Sequence, residues 1–201
     1  MTRPAVVRIG RSDKRFPCTL LDGPSFTDSV EVIGTPDLLS RVDVAIVSST
    51  RLPGAILLAV YDLLQRVRLL ELTLASGFHS PMERQCLEIL LTGRAGVVVL
   101  PARSIARFRI PLPWRPGIEE GRLTVLSAFP DTSRRSTRAL AAARNRVAAC
   151  LAESVFIPYA HPGGETERLA RELCSAGKPV RTLHRPENDK LLTLGARPWA
   201  L

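Results

Sequence analysis

Val42-Asp43-Val44-Ala45-Ile46-Val47-Ser48-Ser49-Thr50-Arg51-Leu52-Pro53 is the stretch that decides the fold. Its first half, Val42 to Ser48, reads as a strand covered on both faces. Ser48-Ser49-Thr50-Arg51 then make a short loop of small residues. Pro53 follows in the first turn of a helix, where a missing N–H is tolerated. That helix, about 53–67, is unusually apolar and is expected to be largely buried. The same event recurs after Leu72-Thr73-Leu74-Ala75, with the loop Ser76-Gly77-Phe78-His79-Ser80. It recurs again after Val155-Phe156-Ile157, with the loop His161-Pro162-Gly163-Gly164. Loops of this kind lie at the carboxyl ends of parallel strands and feed helix N-termini, an arrangement that cradles phosphate. The expected ligand is a nucleotide or a nucleic acid.

Outward from these three points the chain alternates strand and helix. Glu71 to Ala75 is a second strand. Ser80, with Glu83 three residues on, is a capping-box pattern for a helix from Pro81, whose Met82, Cys86, Ile89 and Leu90 fall near helical spacing. Gly96 to Leu100, Leu123 to Ser127, Ser154 to Tyr159 and Pro179 to Leu183 complete the strands. Further helices are expected at Ala102 to Phe108, Ser136 to Ala152 and Glu165 to Ala176. Pro111-Leu112-Pro113-Trp114-Arg115-Pro116-Gly117 reads as an irregular surface loop, a lid or partner contact. Parallel neighbours need helical crossovers of one hand. The fold class is therefore α/β: a doubly wound, mostly parallel Rossmann-like sheet with helices on both faces. Residues 1–40 carry a turn signal at Asp22-Gly23-Pro24, a candidate strand at Val30 to Gly34 and a helical turn at Asp37-Leu38-Leu39. They are expected to form an N-terminal extension packed on the core. Residues 41–184 form the Rossmann-like domain, and 185–201 an irregular tail.

The apolar share of 45% is that of an ordinary globular domain, but the formal charge of +9 over 201 residues is not. Only Lys14, Lys178 and Lys190 are lysines, so arginine carries the excess. Arginine presents a planar donor fork that suits phosphate; codon bias in a GC-rich genome is the alternative source. Cys18, Cys86, Cys150 and Cys174 are scattered without a C-x-x-C pair, which argues against a zinc site or a disulfide framework. The longest apolar stretch, Gly54 to Leu64, is too short to span a bilayer. Met1-Thr2-Arg3-Pro4 lacks the apolar core of a signal peptide. A cytoplasmic location is expected, with no membrane partner, no metal and no cofactor.

A specific series of motifs runs through residues 33–183. Ile33-Gly34-Thr35-Pro36-Asp37-Leu38-Leu39 leads into Val44-Ala45-Ile46-Val47-Ser48-Ser49-Thr50-Arg51. Leu74-Ala75-Ser76-Gly77, Val97-Val98-Val99-Leu100 and Leu126-Ser127-Ala128-Phe129-Pro130 follow. Arg144-Asn145-Arg146 then precede the strand Ser154 to Tyr159, and Pro162-Gly163-Gly164-Glu165-Thr166 closes the series. In order and spacing these stretches resemble the Rossmann-like core of the DNA-processing protein A family (DprA/Smf), distantly related to the LOG nucleotide hydrolases. The Arg-Asn-Arg signature before a strand is the most specific piece. The chain departs from the family pattern in its first turn, which has no glycine. It departs again at Phe78-His79-Ser80-Pro81-Met82-Glu83-Arg84, and at Ala128, where the family carries an acidic residue. The family's flanking helical module and winged helix have no counterpart in this sequence. The resemblance implies binding of single-stranded DNA in DNA uptake or recombination, a recombinase contact and a homodimer. The alternatives are a LOG-like hydrolase of nucleoside monophosphates using Glu83, Arg84 and Gly163-Gly164, and a nucleotide sensor without turnover.

The candidate phosphate or nucleic-acid contacts are Ser49, Thr50, Arg51, Ser76, Gly77, Phe78, His79, Arg144, Asn145, Arg146, Gly163, Gly164 and Thr166. Each has a structural alternative. On a helix Arg144 and Arg146 diverge in direction, so one can reach a pocket while the other pairs with a carboxylate or faces solvent. Arg51 either meets a phosphate or caps a helix end. Gly77 either lets a ligand approach or supplies a positive φ. His79 and Glu83 suit capping as well as catalysis, and Gly163-Gly164 suits a tight turn. Arg103, Arg107, Arg109, Arg115, Arg134, Arg135 and Arg138 would make a basic groove if they share a face, with Trp114 and Phe78 as exposed aromatics that stack on bases. No nucleophile–base pair or Walker lysine is present, so the sequence does not argue for catalysis.

Overall fold

A computed structural model describes residues 5–20 and 28–199, and its strands join in one nine-stranded sheet. The strands are β1 (Val7–Gly10), β2 (Ser29–Ile33), β3 (Val42–Ile46), β4 (Thr73–Ser76), β5 (Gly96–Val99), β6 (Leu123–Ser127), β7 (Ala152–Phe156), β8 (Val180–Thr182) and β9 (Arg197–Pro198). The helices are α1 (Gly54–Val67), α2 (Pro81–Leu91), α3 (Arg115–Glu119), α4 (Arg138–Leu151), α5 (Glu165–Ser175) and α6 (Asp189–Thr193). The strand order is β1-β2-β6-β5-β4-β3-β7-β8-β9. All pairings from β6 to β9 are parallel, whereas β1–β2 and β2–β6 are antiparallel. The α/β, mostly parallel sheet expected from the sequence is therefore present.

Pleating explains why the strands read as continuous apolar runs. Successive side chains point to opposite faces, and here both faces are covered. Val42, Ala45, Val98 and Leu100 join one core with Val147, Leu151 and Leu169 of α4 and α5. Val44, Ile46, Val97 and Val99 join the other with residues of α1 and α2. Helix α1 buries Ile56, Val60, Leu63, Leu64 and Val67, but Leu58 on its outer side is 66% exposed, so the helix is less covered than its composition suggests.

Four local expectations need correction. Ala102 to Phe108 is not helical; it is a loop tied down by side chains, with Ser127 Oγ donating to the Arg103 carbonyl at 2.9 Å. The helix forms instead inside the proline-rich stretch, as a 3-10 turn at Leu112–Trp114 followed by α3. Prolines occupy the N1 or N2 positions of both, where no N–H is needed. The segment expected to be an irregular tail holds α6 and β9, and Trp199 packs edge-on against Phe156 with ring centroids 4.7 Å apart. The N-terminal stretch contributes two strands, β1 and β2, to the sheet itself. Asp22-Gly23-Pro24 and Met1 to Pro4 lie outside the described residues. Among the described residues no helix is long and apolar enough to cross a membrane, and no cluster suited to a metal ion occurs.

Candidate nucleic-acid interface

The parallel strands β3 to β8 direct their carboxyl ends to one edge of the sheet. Chain order reverses between β3 and β7, and in sheets of this class a crevice opens at such a reversal. In this protein hydrogen bonds bridge the crevice. The Ser49 N–H donates to the Tyr159 carbonyl at 3.1 Å, and the His161 N–H donates to Ser49 Oγ at 2.9 Å. The glycine loop beside it is also occupied from within. The buried Glu167 carboxylate accepts from the Gly163 N–H at 3.0 Å and pairs with Lys190 at 2.8 Å and Arg171 at 3.2 Å. The Lys190 hydrogen bond, then the Gly163 amide, hold the Glu167 carboxyl below the usual glutamate range. An internal anion thus takes the Gly163 N–H, the Gly164 N–H donates to the His161 carbonyl at 2.9 Å, and Thr166 is buried, so this loop offers a phosphate less than its sequence suggests. Thr50 and Arg51 stand exposed above this seam.

Among the described residues an open space lies one strand over, at the ends of β4 and β5. A cavity of about 660 Å³ is lined there by Gly77, Phe78, His79, Arg103, Phe108, Trp114, Arg138 and Arg144, among others. The loop after β4 is fixed by Glu83. Its carboxylate accepts from the N–H groups of His79 at 3.0 Å and Ser80 at 2.9 Å, and Ser80 caps α2 in return. Ser76 is buried and donates to the Ile46 carbonyl at 2.9 Å. The capping reading of Glu83 therefore holds: Oε2 takes both amides, and Oε1 lies 3.4 Å from the Ser76 hydroxyl. Phe78 is 5% exposed and part of the core, which corrects the expectation of a solvent-facing stacking ring. Its φ of 45° is the positive value that the turn requires.

Gly77 answers to a different demand, one that neither sequence reading foresaw. A Cβ there would lie 0.9 Å from a terminal nitrogen of Arg144. The missing side chain is the seat of the Arg144 guanidinium. Arg144 is 6% exposed and donates to the Leu100 carbonyl at 3.2 Å, while its Nε is buried without a partner. Burial lowers the pKa of Arg144, and the Glu83 charge opposes that shift. Two residues further along α4, Arg146 pairs with Glu172 at 2.9 Å and Glu165 at 3.8 Å, and it does not line the cavity. The Arg-Asn-Arg triplet splits as helical geometry demands, with Arg144 inward, Arg146 toward α5 and Asn145 half-buried between them.

Among the described residues Arg103 and Arg138 at the cavity rim are in no ion pair within 4.0 Å. Trp114, from the proline-rich stretch, stacks on Phe108 at 6.0 Å, and the Arg103 guanidinium lies 5.8 Å from the Phe108 ring centre. Phe108 was missed at the sequence level, because nothing local marks a phenylalanine as the partner of Trp114. A smaller cavity of about 250 Å³ adjoins the first, with Arg103 and Phe108 in both walls and Arg107, Arg134 and Asp131 added. Arg109, Arg115 and Arg135 line neither cavity.

DNA processing protein A from Streptococcus pneumoniae superimposes with a TM-score of 0.77 at 18% identity, covering 96% of this chain and 70% of that one. The fold is that of DNA processing protein A. The protein of that name from Helicobacter pylori, whose structure concerns its single-stranded DNA binding mode, gives a TM-score of 0.71 at 21% identity over 96% of this chain and 89% of that one. The molybdenum cofactor carrier protein of Chlamydomonas reinhardtii is more distant, with a TM-score of 0.53 at 15% identity over 80% of this chain and 91% of that one. No family model and no curated protein matches the chain by sequence. DNA processing protein A and this chain thus share an architecture at 18–21% identity.

Glu31 of β2 offers a pH-dependent check on the wall beside the small cavity. Burial first, then the neighbouring Asp131 charge, raises the Glu31 pKa above the usual glutamate value. The folded state then holds its proton more tightly than the unfolded state does. Stability is greatest below the unfolded pKa and declines as pH rises through the raised folded value. Glu31→Gln removes this cost. In thermal melts it is expected to raise Tm at about pH 7 and to leave it unchanged at about pH 4.

Proposed function

We propose that this chain binds single-stranded DNA, in the setting of DNA uptake or recombination in the cytoplasm, as its architecture suggests. The observation that carries the reading is the larger cavity. It combines a buried guanidinium beneath the floor (Arg144), unpaired arginines at the rim (Arg103, Arg138) and a stacked aromatic pair in the wall (Phe108–Trp114). Phosphate is attracted by the first two, and a base stacks on the third. Arg51 and Thr50, exposed on the next loop along the same edge, extend the path for a strand that continues past the cavity. A homodimer and a recombinase contact belong to the same proposal and rest on the shared architecture. The hydrolase alternative is less favoured, because the Glu83 it requires is buried, lines neither cavity and holds two backbone amides on Oε2.

The test is fluorescence anisotropy with a labelled oligothymidylate of about 20 nucleotides over about 50 to 300 mM salt, where displaced counterions give a linear fall of log affinity with log salt. A steep negative slope is expected, together with weaker binding by Arg138→Ala. No binding at the lowest salt, or an affinity indifferent to salt, overturns the proposal.

A further inference from the structure

We infer that the small cavity beside the larger one is a second phosphate seat, so that the preferred ligand is a strand of at least two nucleotides rather than a mononucleotide. This rests on the reading of the larger cavity given above. The small cavity lies between the loops that follow β5 and β6, and those loops are locked together. The Ser104 N–H donates to the Ser133 carbonyl at 2.9 Å, Ser104 Oγ donates to Asp131 at 3.0 Å, and the Ala106 N–H donates to Ser104 Oγ at 3.2 Å. The shape of the seat is set before any ligand arrives, which spares the ordering cost of binding.

Its charge favours an anion. Arg103, Arg107 and Arg134 line it against Asp131, which the Ser104 hydroxyl already engages, and Glu31 behind Asp131, whose raised pKa favours its neutral form, still leaves the arginines in excess. Among the described residues none of the three arginines is in an ion pair within 4.0 Å. Arginine forks suit phosphate oxygens in two-point contacts. The two cavities share Arg103 and Phe108 as their common wall. A nucleotide whose base stacks in the larger cavity therefore has its neighbouring phosphodiester at that wall. Arg107 and Arg134 belong to the small cavity alone, so they contact only a ligand that extends beyond one nucleotide.

The experiment compares 5′-thymidylate with oligothymidylates of two to six nucleotides on wild-type protein and on Arg107→Ala/Arg134→Ala, by calorimetry and anisotropy. Both residues are exposed, so the folded state is expected to persist, and thermal melts check it. In wild type, affinity rises at least about tenfold from one to two nucleotides, a difference of about 1.4 kcal/mol. The double variant binds the mononucleotide within about twofold of wild type. It loses about tenfold on the longer ligands, with a salt slope shallower by about one to two units. Unchanged oligonucleotide affinity and slope in the double variant overturn the second seat while leaving the main cavity intact. Equal losses on the mononucleotide and the longer strands also overturn it, because the two arginines would then serve the first cavity. Failure of wild type to bind any of these ligands overturns the reading of the larger cavity itself.

Discussion

Gly77→Ala is expected to cost about 1–3 kcal/mol of stability, the usual range for forcing extra volume into a packed site, and to lower affinity for single-stranded DNA at least about tenfold. The added methyl would occupy the place of the Arg144 guanidinium. That group is the far end of a flexible side chain, but it is 6% exposed and bonded to the Leu100 carbonyl, so it has no free route of retreat except into the cavity. The damage therefore reaches stability and ligand space together. Urea unfolding and anisotropy measure the two effects. Adding Arg144→Ala removes the clash, and the double variant is expected to cost less than the sum of the single changes, the mark of groups in contact. A Gly77→Ala protein with native stability and native affinity would show that the guanidinium is not seated on the glycine.

Glu83→Ala is expected to be at least as costly, about 2–4 kcal/mol, because two backbone donors lose their acceptor and a helix loses half of its cap. Several consequences fall on one carboxylate. The N–H groups of His79 and Ser80 lose their acceptor, α2 loses its capping box, and Arg144 loses the negative charge that favours its protonated form. Glu83→Gln keeps an acceptor oxygen and removes only the charge. It is expected to be intermediate in stability and to bind DNA at least as tightly as wild type, since a negative charge near the cavity has gone. Unfolding free energies from urea titration separate the two variants. A loss below about 1 kcal/mol for Glu83→Ala contradicts the account of the loop. Abolition of DNA binding by Glu83→Gln contradicts the electrostatic argument.

These two residues also mark what was legible in the sequence. The capping box at Ser80 and Glu83 could be read directly, because its partners lie three residues apart and its chemistry is local. The valine run of β5 could be read because a strand covered on both faces has no polar alternation to hide it. The divergence of Arg144 and Arg146 followed from helix geometry. The contact between Gly77 and Arg144 was out of reach, because it joins segments distant in sequence that only the sheet brings together. Gly77 was read for ligand approach or for positive φ; the positive φ belongs to its neighbour Phe78. α3 was hidden by its prolines, which signal disorder in composition but start helices when they stand in the first turn. The closure of the glycine loop by Glu167 was also invisible, since Lys190, which anchors that carboxylate, comes from α6, a helix the sequence did not announce.

One end of the sheet carries a consequence of its own. β9 is a two-residue strand that ends on Pro198 and pairs on one side with β8. Proline has no amide hydrogen to offer on the open side, and so short a ribbon presents almost no template for an incoming chain. Growth of the sheet into fibrils from this border is disfavoured by that chemistry. Concentrated preparations are expected to resist cross-β aggregation there, and replacement of Pro198 by valine is the change that would unlock it.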